Sequence, residues 1–116
     1  MKILIVDDSS DAAESFQMLL ELDGHDVKVA PTGEVALALF DDFLPDAALI
    51  DISLPGMDGY TLARELRSRA YQPSPRLIAV TGYGGADDLR RSAEAGFDKH
   101  LTKPISYDSL ATHLVA

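Results

Sequence analysis

The chain contains no cysteine. That excludes a disulfide framework and thiolate metal sites, and it is compatible with a reducing compartment. Long apolar runs are also missing: no stretch approaches the ~20 residues that a membrane span requires. The start does not read as a signal peptide, because Lys2 is followed by only four apolar residues before two acids. The expectation is a cytoplasmic protein, or a cytoplasmic piece of a larger one, with no membrane partner. Basic residues are scarce as well. Ten Lys and Arg stand against nineteen Asp and Glu, a net charge of −9. Attraction to phosphate backbones needs a basic surface, so nucleic acid is not expected to bind through this domain. An acidic balance suits metal cations or basic partner surfaces, although most single surface charges do no more than face water.

The remaining composition is that of an ordinary folded domain. Of 116 residues, 47% are hydrophobic, enough to build a core rather than a disordered tail. Residues 1–116 read as one domain, without repeat, low-complexity tract or linker.

Five short apolar stretches alternate with five helical patterns. The strands are expected at Ile3–Val6, Val27–Ala30, Ala47–Ile50, Leu77–Val80 and about Lys99–Leu101. In the first helix Ala12, Ala13, Phe16, Leu19 and Leu20 repeat at helical spacing, and Gly24 stops the run. Thr32 is placed to cap the second helix, with Val35, Ala36, Leu39 and Phe40 facing inward. Asp58 is placed to cap the third, with Leu62, Ala63 and Leu66 inside. The fourth runs from about Ala86 to Ala95 and ends at Gly96. Ser106 is placed to cap the fifth, which carries Leu110 and Leu114. Pro73-Ser74-Pro75 reads as the turn that delivers the fourth strand.

Strand and helix in strict alternation signal a parallel sheet covered on both faces. ILIV, AALI and LIAV are apolar at every position, so those strands are central. Val27-Lys28-Val29 alternates and Lys99-His100-Leu101 is short and polar, so those two are edges. The expected fold class is α/β: a doubly wound five-stranded parallel sheet of order 2-1-3-4-5, flavodoxin-like (βα)5, with right-handed crossovers.

All strands of such a sheet end at one edge, and ligands bind there, where the strand order reverses. Strand one runs into Asp7-Asp8, strand three into Asp51, strand four into Thr81-Gly82, strand five into Thr102-Lys103-Pro104. Topology thus gathers three carboxylates, a hydroxyl and an ammonium. Two like charges ~4 Å apart at an effective dielectric of ~20 repel by ~4 kcal/mol. A cation should bind or a proton be trapped. With oxygen ligands alone, Mg2+ fits best. A metal and a lysine beside a carboxylate suit phosphoryl transfer. The carboxylate can itself be the nucleophile. Asp51, alone on the middle strand, is the best candidate acceptor, and Asp7 and Asp8 are better read as metal ligands.

These residues resemble the receiver domain of two-component response regulators, chemotaxis-regulator-like, over essentially the whole chain. The matching pieces are Val6-Asp7-Asp8, Asp51 with Leu54-Pro55-Gly56-Met57-Asp58-Gly59, Thr81-Gly82, and Lys103-Pro104. The resemblance implies that Asp51 accepts the phosphoryl group from a histidine kinase or a histidine phosphotransfer protein, or from a small phosphodonor. It implies Asp8 and Asp51 as direct Mg2+ ligands, Asp7 acting mainly through water, and the Ser53 carbonyl as a further ligand. Lys103 would pair with the phosphoryl oxygens, and its bond to Pro104 would be cis, a geometry that proline makes accessible. Thr81 would turn its hydroxyl onto the phosphoryl group. The face formed by helix four, strand five and helix five would then shift toward a downstream protein, an attached output domain or a second copy in a homodimer. That would be a two-state population shift.

Two positions depart from the common pattern. Where the family carries a switch aromatic, three residues before the lysine, this chain has His100, smaller and titratable. Its bland alternative is a half-exposed packing residue of an edge strand. Ser53 and Tyr83, two after Asp51 and Thr81, hold positions that gate water in the family, so an altered phosphoryl lifetime is expected. The fifth helix stops early at Ala116, compatible with a shortened last helix or a parent chain that continues. The stretches around Val80–Gly84 and Ala95–Leu101 look similar to receivers of hybrid sensor histidine kinases.

Two other readings stay open. A haloacid-dehalogenase-type phosphatase also uses a strand-end aspartate and Mg2+, but would carry a second aspartate where Ser53 stands. An interaction module with a silent pocket is the other, and the complete Asp/Asp/Asp/Thr/Lys set speaks against it. His25 and His113 show no ligand spacing with His100, and His25 should lie at the opposite end of the sheet.

Overall fold

A computed structural model describes residues 1–82 and 85–114. The elements are β1 (Lys2–Val6), α1 (Ser10–Leu22), β2 (Asp26–Ala30), α2 (Gly33–Phe43), β3 (Ala47–Asp51), α3 (Gly59–Ser68), β4 (Arg76–Thr81), α4 (Ala86–Ala95), β5 (Lys99–Thr102) and α5 (Tyr107–Leu114). The strands pair in parallel in the order β2-β1-β3-β4-β5. The expected strand order, with its two edges, is therefore the observed one.

Strand alternation divides the core in two. Leu4, Val6, Ala48, Ile50, Leu77 and Ala79 face α2, α3 and α4, where Phe40, Leu62 and Leu66 meet them. Ile3, Ile5, Ala47, Leu49, Ile78 and Leu101 face α1 and α5, where Ala13, Leu20, Leu110 and Leu114 close over them. Both faces of β1, β3 and β4 are thus dry, which is why their sequences are apolar throughout. Each fully buried Leu or Ile contributes roughly 1.5–3 kcal/mol.

Three helix starts, those of α2, α3 and α5, carry the expected side-chain caps. Thr32 Oγ1 accepts from Val35 N at 3.2 Å, Asp58 Oδ1 from Thr61 N at 2.8 Å, and Ser106 Oγ from Ser109 N at 3.1 Å. Gly96 ends α4 at φ +106°, a backbone conformation that glycine adopts without penalty. One inward-facing expectation fails in α2: Val35 is 40% exposed, and Leu39 is only half-buried. The buried stripe is instead Gly33, Ala36, Phe40 and Phe43. Gly33 is inside because Met57 packs on it; a Cβ there would lie 3.0 Å from the Met57 sulfur. In α1, Ala12 and Leu19 of the periodic set are exposed, while Ala13 and Leu20 carry the burial.

The opposite end of the sheet is held by its own contacts. His25 Nδ1 lies 3.1 Å from the amino terminus there, just before β2 begins. Arg67 in α3 ties that helix to the chain on either side of β4. Its guanidinium donates to Gly96 O, Ser74 Oγ, Pro75 O and Asp98 Oδ2 at 2.8–2.9 Å.

Candidate phosphoacceptor site

Asp51 is the last residue of β3, a strand buried at every position. Its register partner on β4 is Val80, and the chain leaves the sheet through Ile52 N donating to Val80 O at 3.0 Å. The side chain is then fixed from two sides. Oδ1 accepts from Ser53 N at 2.9 Å and Oδ2 from Lys103 Nζ at 3.0 Å. Asp51 is 4% exposed.

Asp7 repeats the first of these contacts at the end of β1. Its Oδ1 accepts from Ser9 N at 2.9 Å, again two residues on, and its own N donates to Ala30 O. Such turns are a habit of aspartate, whose short side chain reaches the backbone two residues ahead. Asp7, Asp8 and Asp51 each offer one carboxylate oxygen, and these oxygens lie within 4.8 Å of one another. Asp7 is half-buried and Asp8 exposed. Burial raises the Asp7 carboxyl above its ordinary value, and the Asp51 and Asp8 carboxylates add to the rise. The Ser9 amide and the Lys103 ammonium oppose it. A carboxylate held at this cost is relieved by a cation.

β4 and β5 set the remaining groups. Thr81, 2% exposed, ends β4 opposite Thr102. Its carbonyl accepts from Lys103 N at 2.7 Å, so the backbone that carries the hydroxyl also anchors the backbone that carries the ammonium. The Lys103–Pro104 peptide bond is cis. Ser53 is exposed, on the loop that leaves Asp51. His100, half-buried on β5, places Nδ1 2.8 Å from Ser92 Oγ, and Ser92 is buried in α4. Tyr83 and Gly84 lie outside the described residues.

The structure thus brings Asp7, Asp8, Asp51 and Lys103 to one spot, with Thr81 joined to Lys103 through the backbone. His100, on β5, contacts α4 through Ser92. Sequence reasoning quoted Gly59 within the matching motif but gave it no structural role. A Cβ there would lie 2.8 Å from Ile52 Cα and 2.9 Å from the Asp51 carbonyl oxygen. The start of α3 presses onto the chain just past Asp51, and a side chain at this position would force backbone to shift. The signal was available in Asp58-Gly59, a cap followed by the smallest residue. The Gln72–Pro73 bond is also cis, and nothing in the sequence reading marked it.

The donor set fits a small hard cation: three carboxylates, no sulfur or imidazole, and a desolvated Asp7. Asp7, Asp8 and Asp51 would hold it.

Comparison with known proteins agrees over nearly the whole chain. Residues 3–115 match the family described as response regulator receiver domain. A 14.6 kDa protein of Leptolyngbya boryana is 35% identical over 105 residues, covering 90% of this chain and 80% of its own length. The two-component response regulator PhoP of Pseudomonas aeruginosa is 34% identical over 116 residues, all of this chain but 51% of that protein. Against three relatives named as probable transcriptional regulators or a transcriptional regulatory protein, the chain spans less than half of their length. Among solved structures, a CheY-like receiver domain protein of Methanospirillum hungatei superimposes with a TM-score of 0.89 at 33% identity, covering 97% of this chain and 89% of that one. The receiver domain of a signal transduction histidine kinase from Syntrophus aciditrophicus gives 0.88 at 34% identity, covering 97% and 86%. With a flavodoxin-like sheet, an acidic cluster at its carboxyl edge and a family match from residue 3 to residue 115, the chain belongs to the receiver domains of two-component response regulators.

Proposed function

We propose that this chain is a phosphoacceptor module, one receiver unit over residues 1–116, that takes a phosphoryl group onto Asp51. The donor would be a phosphohistidine of a histidine kinase or phosphotransfer protein. One observation carries the reading: Asp51, buried at the end of the middle strand, shares a 4.8 Å cluster with Asp7 and Asp8 and holds Lys103 at 3.0 Å.

An Asp51 carboxylate oxygen forms the new bond to phosphorus as the donor's N–P bond breaks. The departing imidazole nitrogen keeps the electron pair of that bond and takes up a proton. Lys103 is placed to leave Asp51 Oδ2 for the incoming phosphoryl oxygens without leaving the site. Thr81, whose backbone is fixed to that of Lys103, supplies the hydroxyl. Asp7, Asp8, Asp51 and the Ser53 carbonyl would hold Mg2+, which when bound supplies positive charge against the oxygens of the transferring group.

Downstream, Thr81 and His100 would bias the α4–β5–α5 face, since His100 is tied to α4 through Ser92. That face would meet an output domain, a separate effector or a second copy of this chain. No helix among the described residues is long and apolar enough to cross a membrane, and the reading places the module in the cytoplasm. Nothing in the site favours the dehalogenase-type alternative, which lacks its second aspartate at Ser53.

The test is incubation with Mg2+ and acetyl phosphate, followed by intact mass. A gain of one phosphoryl group, lost in Asp51→Asn, is expected. Unlabelled wild-type protein, or labelled Asp51→Asn, would overturn the assignment.

A further inference from the structure

A cavity of about 480 Å3 lies beside the acidic cluster, between α1 and the segment that opens α5. Ala12 and Phe16 of α1 form one wall, Ile105 and Leu110 the other, and Ile5 and Leu49 the floor. Asp7, Asp51 and Lys103 line it too, so cavity and cluster share a border. Its size falls in the ~300–1,000 Å3 range of small-molecule sites, and its make-up is theirs as well: an apolar chamber with a few convergent polar groups. Ala12, the smallest side chain among the lining residues, contributes only a methyl group. The charge at the border is one-sided. Three carboxylates, counting Asp8 from the same cluster, face one ammonium.

We propose that this cavity binds a small organic cation, a primary ammonium on an aromatic or aliphatic body, with the ammonium among Asp7, Asp8 and Asp51 and the body between Phe16, Ile105 and Leu110. An ammonium brings three donors and no acceptor, matching carboxylate oxygens that only accept. An anion of the same shape would meet like charge, and a neutral alcohol would gain the apolar contact alone. Because the ammonium and a divalent cation use the same carboxylates, each weakens the other by the same factor. A bound amine would therefore hold the site away from the metal-loaded state. The proposal stands on the cavity and the charge around it, and it survives even if Asp51 is never phosphorylated.

The probes are phenethylamine, hydrocinnamate and phenethyl alcohol, titrated into the metal-free full chain and followed in amide proton–nitrogen spectra. The amine is expected to saturate in the millimolar range or below, moving the amides of Asp7 to Ser9, Ala12, Phe16, Ile105 and Leu110. The anion and the alcohol should bind at least about tenfold more weakly, a difference of ~1.4 kcal/mol. Added Mg2+ should raise the apparent amine Kd. Ala12→Leu, which fills the chamber from an exposed helical position, should weaken the amine about tenfold or more and leave Mg2+ affinity unchanged. No saturation, equal binding of hydrocinnamate, or shifts confined to another surface would overturn the proposal. So would a folded Ala12→Leu protein that binds the amine as before. If that variant does not fold, the charge comparison and the shift map on the wild-type chain decide alone.

Discussion

Lys103 and Asp51 stand 52 positions apart in the chain and 3.0 Å apart in space, and their exposures differ sharply: 44% for the lysine side chain, 5% for the aspartate side chain. The buried partner depends on the exposed one. Lys103→Met should leave Asp51 among like charges without its nearest cation. The full penalty for orphaning a buried ion is about 3–5 kcal/mol, and the solvent around Lys103 reduces it here to roughly 1–2 kcal/mol. Urea denaturation without metal measures it. Mg2+ should bind the same variant more tightly, because a competing charge has gone. A variant both stable and indifferent to metal would contradict this account.

Asp7 should impose a stability slope of the opposite sign to most carboxylates. Its folded value lies above the ordinary 3.8, so as pH rises the unfolded chain loses its proton first. The folded state then binds more protons than the unfolded one, and stability falls with rising pH in the window just above the ordinary aspartate value. Asp7→Asn removes that slope. Thermal melts without metal, run upward from the ordinary aspartate value of 3.8, should show the variant gaining on wild type as pH rises, and parallel melts with Mg2+ should show less stabilisation of the variant by the ion.

Gly59→Ala tests the close approach of α3 to the Asp51–Ile52 backbone. The added methyl meets backbone on two sides, so relief requires the 52–58 loop to move. Overpacking of this kind costs about 1–3 kcal/mol. Denaturant midpoints should fall accordingly, and acetyl phosphate labelling of Asp51 should slow in the variant that still folds.

Tyr107 gives a titration readable by absorbance. Its hydroxyl donates to Asp23 and to Leu19 O, joining α5 to the end of α1. The hydrogen bond to Asp23, with smaller help from burial, pushes the phenol up to about 12. A raised folded value means the contact stabilises below the ordinary 10.0 and is lost as pH climbs through about 12. Tyrosinate absorbance should show Tyr107 titrating late, beside Tyr71, which burial and Asp41 also raise, and Tyr107→Phe should lose one tyrosine from that late step.

Arg67→Ala should be among the costlier substitutions outside the core. Its guanidinium serves three carbonyl or hydroxyl oxygens and Asp98, and Asp98 Oδ2 also takes Leu77 N at 2.9 Å. With the side chain 27% exposed, about 2–3 kcal/mol is expected, and Arg67→Lys should recover less than half because an ammonium cannot span the fork. Urea melts of both variants decide it.

The parts of this molecule that could be read from its sequence are those written in periodicity. The dry strands β1, β3 and β4 announce themselves as unbroken apolar runs, β2 as an alternating one and β5 as a short polar one, and the sheet order follows. Gathering of Asp7, Asp8, Asp51 and Lys103 follows too, since it is a property of parallel strand ends. Contacts that depend on where one long side chain lands were not legible. Arg67 reaches Gly96 and Asp98, and Tyr107 reaches Asp23 84 positions away; no pattern along the chain encodes such pairs. Val35 misled because its helical position is right by period, but Met57 on Gly33 turns the buried face of α2 away from it.

The backbone amides of Ser9 and Ser53 each occupy one oxygen of the aspartate two residues before them. On Asp51 the other oxygen takes Lys103, so an ion there shares an oxygen that already accepts one hydrogen bond and offers it a second lone pair. Calcium prefers six to eight ligands and often grips a carboxylate by both oxygens, whereas magnesium accepts single oxygens and keeps its water. Two short turns thereby fix how both carboxylates are aimed before an ion arrives, an arrangement that suits single-oxygen ligation of a small dication.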